Sequence, residues 1–186
     1  MEKKGDELVV DQAIHGAERT RVSVAIVGGS FSPQNGVMTS SLEIGMGRVA
    51  YRVVMGTARR ALGLRKKTVS LGGTLVPVFV RKGSGVPIVL VHGFGADKEG
   101  WLGLVAHLRG LPIVALDLPG FGAASAIDPA LATAEHQAKA LKGVLDALSI
   151  SKAVVVGSSM GGAISLRFAS DFPDVVEGLV LLGSVG

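Results

Sequence analysis

With 186 residues, 48% of them hydrophobic, and a mean hydropathy of +0.48, the chain has the length and composition of one globular domain with a sizeable core, not of a disordered segment. It has no cysteine, which excludes disulfide scaffolds, thiolate metal sites and cysteine nucleophiles. No apolar run reaches the ~18 residues a membrane span needs, and the start MEKKGDELVV lacks a signal-peptide core, so a cytoplasmic or membrane-peripheral protein is expected.

The net charge of +4 is unevenly placed. Residues 45–67 hold Arg48, Arg52, Arg59, Arg60, Arg65, Lys66 and Lys67 with no acid, a local +7, whereas residues 68–186 carry 8 basic and 9 acidic side chains, a net −1. The isoelectric point near 9.6 therefore reports one segment and does not point to nucleic acid. Neither a metal nor a cofactor is expected.

In chain order, residues 1–45 carry the least signal. VSVAIVGG (22–29) reads as a strand, and GGSFSPQNG with the following TSS has loop composition. Gly28-Gly29 lacks the spacing and the following helix of a dinucleotide fingerprint. This stretch is expected to be a poorly defined extension, with Met38 or Met46 as alternative starts.

Residues 46–64, MGRVAYRVVMGTARRALGL, read as a basic amphipathic helix. Arg48, Arg52 and Arg59 fall within ~40° of one another on the helical wheel, opposite a broad apolar arc. Such a helix lies on an anionic membrane surface, or packs on its own domain with its arginines in water; the residues alone leave both open. The expected organisation is an extension over 1–45, a basic helical segment over 46–67 and an α/β domain over 68–186.

From Thr68 the pattern turns to strands. TVSL, Gly72-Gly73 and TLVPVFV read as a hairpin, with Pro77 arguing for an edge position. VPIVLV (86–91) is a buried-type strand ending at His92-Gly93-Phe94-Gly95, WLGLVAHLRG (101–110) a short helix, and PIVALDLPG (112–120) another buried strand. Asp128-Pro129 reads as a helix start, with Leu131, Ala134, Ala138, Leu141, Leu145 and Leu148 behind it at helical spacing. VVEGLVLLGSVG (175–186) closes the chain as a further apolar strand. Strands alternating with helices mean a mostly parallel α/β sheet.

The stretch that organises these elements is KAVVVGSSMGGA (152–163), a buried strand running into a small-residue turn, then a helix that Pro173 ends. Gly157-Ser158-Ser159-Met160-Gly161 matches G-x-S-x-G, in which a strained turn lifts the central serine above the sheet while the glycines leave room for it. Ser159 would stand at a helix N-terminus, where developing negative charge is favoured.

HGFGADKEGW (92–101), DLPGFGAAS (117–125) and GSSMGG (157–162), in this order, resemble the α/β-hydrolase fold, closest to its monoacylglycerol lipase and bacterial lipase/esterase branch. The resemblance covers about residues 68–186. It implies a serine hydrolase acting on small-molecule esters or acylglycerols, with Ser159 attacking the carbonyl and the backbone N–H groups of Phe94 and Met160 forming the oxyanion hole. It makes His92 and Gly93 parts of the turn that shapes this hole, Gly157 and Gly161 supports of the elbow, and Asp117 a turn-fixing residue. Trp101 and Phe121 could line an acyl pocket. Serine at the apex, where an aspartate would be needed, argues against epoxide hydrolases and haloalkane dehalogenases.

In that family the chain order is serine, acid, histidine, yet no histidine follows Ser159 here; the four are His15, His92, His107 and His136. Asp171, Asp174 and Glu177 come too early for the acid loop. The expectation is therefore the N-terminal part of the fold, ending after its sixth strand, inactive alone and marginally soluble because the edge of GLVLLG would stand open. A catalytically inactive fragment or binding module is the alternative.

Overall fold

The computed structural model describes residues 24–27 and 41–184, with side chains from residue 51 onward. The loop composition over 30–40, Gly28-Gly29, His15 and Met38 lie outside the described residues. Seven strands form one sheet: β1 (Val24–Val27), β2 (Arg65–Leu71), β3 (Thr74–Arg81), β4 (Ile88–Val91), β5 (Ile113–Leu116), β6 (Ala153–Ser158) and β7 (Val176–Leu182), in the order β1-β7-β6-β4-β5-β3-β2. The pairs from β1 to β5 are parallel, and β3 joins β5 and β2 antiparallel.

Short β-branched runs make these strands because they are covered on both faces, where alternation of polar and apolar residues is not required. Val89 and Val91 of β4 face a core completed by Leu141 and Leu145 of α3 (Ala134–Ala147) and Ile164 and Phe168 of α4 (Met160–Asp171). Leu90, between them, faces the other side, with Leu102 and Val105 of α2 (Leu102–Val105), Met55 and Ala58 of α1 (Ser41–Ala61) and Leu62 just after α1.

β5 lies on one side of β4, and after α3 the chain crosses back to place β6 on the other. The strand order thus reverses between β4 and β6, whose upper ends pair at Val91 and Gly157. In open α/β sheets the crevice above such a reversal is where ligands bind. The loops that leave β4 and β6 there carry His92-Gly93-Phe94 and Ser159.

Several expectations are corrected. Pro77 is not on an edge strand: β3 is interior, and Pro77 sits one residue outside the β3–β5 ladder, which runs over Val78–Arg81, so its missing N–H costs no bond there. Its carbonyl accepts the Asp117 N–H at 2.9 Å. The edge of β7 is not open, because Val24–Val27 pairs with Leu179–Leu182 in parallel register. The basic helix begins at Ser41, five residues before the expected start, and ends at Ala61. Asp128-Pro129 opens only a single 3-10 turn, and α3 is capped by Thr133, whose hydroxyl accepts the His136 N–H at 3.2 Å.

Candidate active site

Ser159 lies between β6 and α4 at φ 51° and ψ −119°, a left-handed backbone that side-chain-bearing residues avoid at a cost of about 1–3 kcal/mol. The surroundings hold it there. Its N–H donates to the Leu182 carbonyl at 3.0 Å, and its own carbonyl accepts the Gly162 N–H at 2.9 Å. A Cβ on Gly157 would fall on the Gly161 carbonyl and the Ser165 hydroxyl, and one on Gly161 would fall on the carbonyls of Val91 and His92. A side chain at Gly157 would push α4 away from β6, and one at Gly161 would push it off the end of β4. The Ser159 side chain makes no capping bond to α4, so its hydroxyl is not spent on the helix whose first-turn N–H groups surround it.

The loop after β4 lies directly against this elbow. A Cβ on Gly93 would come within 3.2 Å of the Ser159 Cβ and the Ser158 carbonyl, tighter than an ordinary contact, so glycine lets this loop lie close against the elbow. The next residue, Phe94, is 80% exposed and meets the Phe121 ring edge-on at 5.7 Å. Among the described residues no backbone carbonyl accepts the Phe94 N–H. Met160 is the first residue of α4, where an N–H has no acceptor within the helix. Met160 thus adjoins Ser159 in the chain, and Phe94 follows the glycine that packs against it.

His92 is buried, and both ring nitrogens are engaged. Nε2 accepts the Leu118 N–H at 3.0 Å, which leaves the proton on Nδ1 to be donated to the Gly93 carbonyl at 2.8 Å. Burial lowers its pKa below the ordinary 6.5, and the Gly93 carbonyl and Asp117 only partly offset this. The ring is a neutral strut between the loops that follow β4 and β5, edge-on to Phe121.

Asp117, fully buried at the end of β5, anchors the same two loops. Oδ1 accepts the Lys98 N–H at 2.9 Å, while Oδ2 accepts the Ala123 N–H at 3.0 Å and the Lys98 ammonium at 2.6 Å. Lys98, only 2% exposed, also reaches Glu99 at 3.2 Å and lies 5.0 Å from the Phe79 ring centroid. Sequence reasoning missed this lysine, because in DKEG nothing separates it from an ordinary solvated charge. A buried pair of this kind is not a large net gain, but removing one partner would leave an uncompensated charge and cost about 3–5 kcal/mol.

The remaining candidates lie elsewhere. Trp101 packs in the core beside α2, with no partner for its indole N–H among the described residues, whereas Phe121 stands with Phe94 and His92. His107 is exposed, its Nδ1 3.0 Å from the Gly103 carbonyl, and His136 is in the first turn of α3. Asp171 is paired with Arg167 at 2.8 Å, and Asp174 and Glu177 are exposed. Among the described residues no cluster of acidic and histidine side chains could hold a metal.

A family model described as the alpha/beta hydrolase fold matches residues 86–185. The dihydrolipoyllysine-residue acetyltransferase component of the acetoin cleaving system of Pseudomonas putida is 39% identical over 140 residues, 72% of this chain and 36% of that protein. A 2-hydroxy-6-oxo-2,4-heptadienoate hydrolase of Pseudomonas putida is 40% identical over 111 residues, 56% of this chain and 39% of that protein. The chain thus spans well under half the length of these relatives. Among solved structures, a membrane phospholipase A described as a bacterial virulence factor superposes with a TM-score of 0.68 at 31% identity, covering 78% of this chain and 50% of that one. The parallel sheet, the strand–turn–helix elbow at Ser159 and the match over more than half its residues together establish that the chain belongs to the α/β-hydrolase fold family.

Proposed function

We propose that this chain carries the nucleophile and oxyanion hole of a serine hydrolase acting on small-molecule carboxylic esters or acylglycerols. The observation that carries the reading is Ser159, held at a left-handed φ of 51° with Gly93 packed against it. Ser159 Oγ adds to the ester carbonyl as its proton leaves. The N–H groups of Phe94 and Met160 hold the resulting oxyanion, the C–O bond to the alcohol breaks as that alcohol takes a proton, and water then hydrolyses the acyl-serine. The phospholipase neighbour supports an ester substrate. Residues 46–67 supply a peripheral contact with a lipid surface.

No histidine follows Ser159, and His92 is committed to Leu118 and Gly93, so no acceptor for the Ser159 proton is found among the described residues. Turnover by residues 1–186 alone should fall on the order of 10⁶ below that of an intact triad. The same observation favours a second reading, in which the chain binds and does not catalyse.

The test is hydrolysis of short-chain p-nitrophenyl esters, and of a 2-hydroxy-6-oxodienoate such as the Pseudomonas relative's name specifies. The chain would be measured alone and fused to a segment bearing an acid and a histidine. Ester turnover appearing with the added segment and disappearing in Ser159→Ala supports the proposal. Cleavage of the dienoate in place of the ester would overturn the substrate class, and turnover that survives Ser159→Ala would overturn the nucleophile.

A further inference from the structure

Between residues 44 and 96 there are nine lysines and arginines and no acidic side chain. The side chains described for eight of these, together with Arg109, fall into two groups. Arg59 and Arg81 turn inward: Arg59 donates to the Leu64 carbonyl at 3.0 Å and lies over the Phe79 ring, while Arg81 donates to the carbonyls of Leu62, Leu108 and Leu111. By binding these three carbonyls, Arg81 gathers the end of α1, the end of β3 and the loop before β5 into one corner. Around that corner and along the free edge of β2, Arg52, Arg60, Arg65, Lys66, Lys67, Lys82 and Arg109 are exposed.

None of these seven makes an ion pair among the described residues, whereas Lys139, Lys142 and Arg167 on α3 and α4 each pair with a carboxylate four positions away. Charges at the free edge of a sheet also guard against pairing with other chains, which would account for Arg65, Lys66 and Lys67. That role does not account for α1. Met55 and Ala58 of α1, and Leu62 just after it, pack on the sheet, and Tyr51 continues their stripe, yet Val53 and Val54 are 62% and 58% exposed. A surface that only neutralised phosphates along a nucleic acid would have no use for solvent-exposed valines, whereas a bilayer surface uses both. No helix among the described residues is long and apolar enough to cross a membrane.

We propose that the outer side of α1, with Lys66 of β2, which lies opposite Phe79 on the side of the sheet that α1 covers, and the corner gathered by Arg81, docks on an anionic phospholipid surface. The unpaired cations meet lipid phosphates, and Val53 and Val54 enter the boundary between headgroups and acyl chains. The inference rests on residues 46–67 as a peripheral contact and not on Ser159, so either can fail alone.

The test is co-sedimentation of residues 1–186 with phosphatidylcholine vesicles and with vesicles containing 30% phosphatidylglycerol. Binding is expected only to the anionic vesicles and should weaken as salt rises. Arg60→Gln/Lys66→Gln/Lys82→Gln should weaken it by about 100-fold, roughly fivefold per charge. Val53→Ser/Val54→Ser should weaken it at every salt concentration without changing the salt dependence. Circular dichroism and a thermal melt confirm that each variant is folded, and Ser159→Ala should bind like the parent. Equal binding to neutral vesicles, no effect of the charge variant, or binding to duplex DNA or RNA without binding to vesicles would each overturn the proposal.

Discussion

Ser159 and His92 show how residues of ordinary chemistry acquire roles from their backbone surroundings. Ser159 has an unremarkable hydroxyl, but the carbonyls of Val91, His92 and Gly161 leave no room for side chains at Gly157 and Gly161, and the turn lifts it above the sheet. His92 has the side chain of a general base but not the freedom of one, since Leu118 and Gly93 engage both nitrogens. Its pKa is lowered by burial, so between its folded value and about 6.5 the unfolded chain binds a proton that the folded chain refuses. Stability from this residue is complete above pH 6.5 and is lost as pH falls towards the folded value. Urea melts between pH 7.5 and 5 should therefore show a decline with acidity that His92→Gln makes shallower. An identical decline in the variant would mean that the ring does not set it.

At the scale of elements, β1 is the finding with the most direct consequence. Val24–Val27 covers the outer edge of β7, a strand with no proline or lysine to discourage pairing with another chain. Deleting residues 1–40 removes β1 and keeps α1, and light scattering should then report self-association that the parent chain does not show. A monodisperse truncated chain would mean that β7 does not need its neighbour. Strand composition makes most of the sheet legible in the sequence: IVLV, IVAL and AVVV are runs that only two-sided burial explains, and the elbow follows the last of them directly. Long-range pairings are less legible. Pro77 reads as an edge signal because a lone strand does not reveal that its ladder begins one residue later. The apolar arc of α1 reads as one surface, yet the fold divides it, packing Met55, Ala58 and Leu62 and leaving Val53 and Val54 outside. Lys98 is illegible for the same reason, since its burial depends on Asp117, nineteen positions away.

For the molecule as a whole, the sheet reverses its strand order between β4 and β6 and brings two loops together above that point. One loop presents Ser159, the other presses Gly93 against it, and the buried anchors His92, Lys98 and Asp117 tie the second loop to the segment after β5. The unpaired basic face belongs to α1, β2 and the corner at Arg81, built from elements other than those carrying Ser159. The proposed nucleophile is Ser159, held in this arrangement with no base to activate it among the described residues. Incubation with an alkyl fluorophosphonate, followed by peptide mass spectrometry, tests it most directly. One slow, stoichiometric adduct is expected on the peptide containing Ser159, with none in Ser159→Ala; an adduct elsewhere, or equal labelling of the alanine variant, would mean that Ser159 is not the nucleophile.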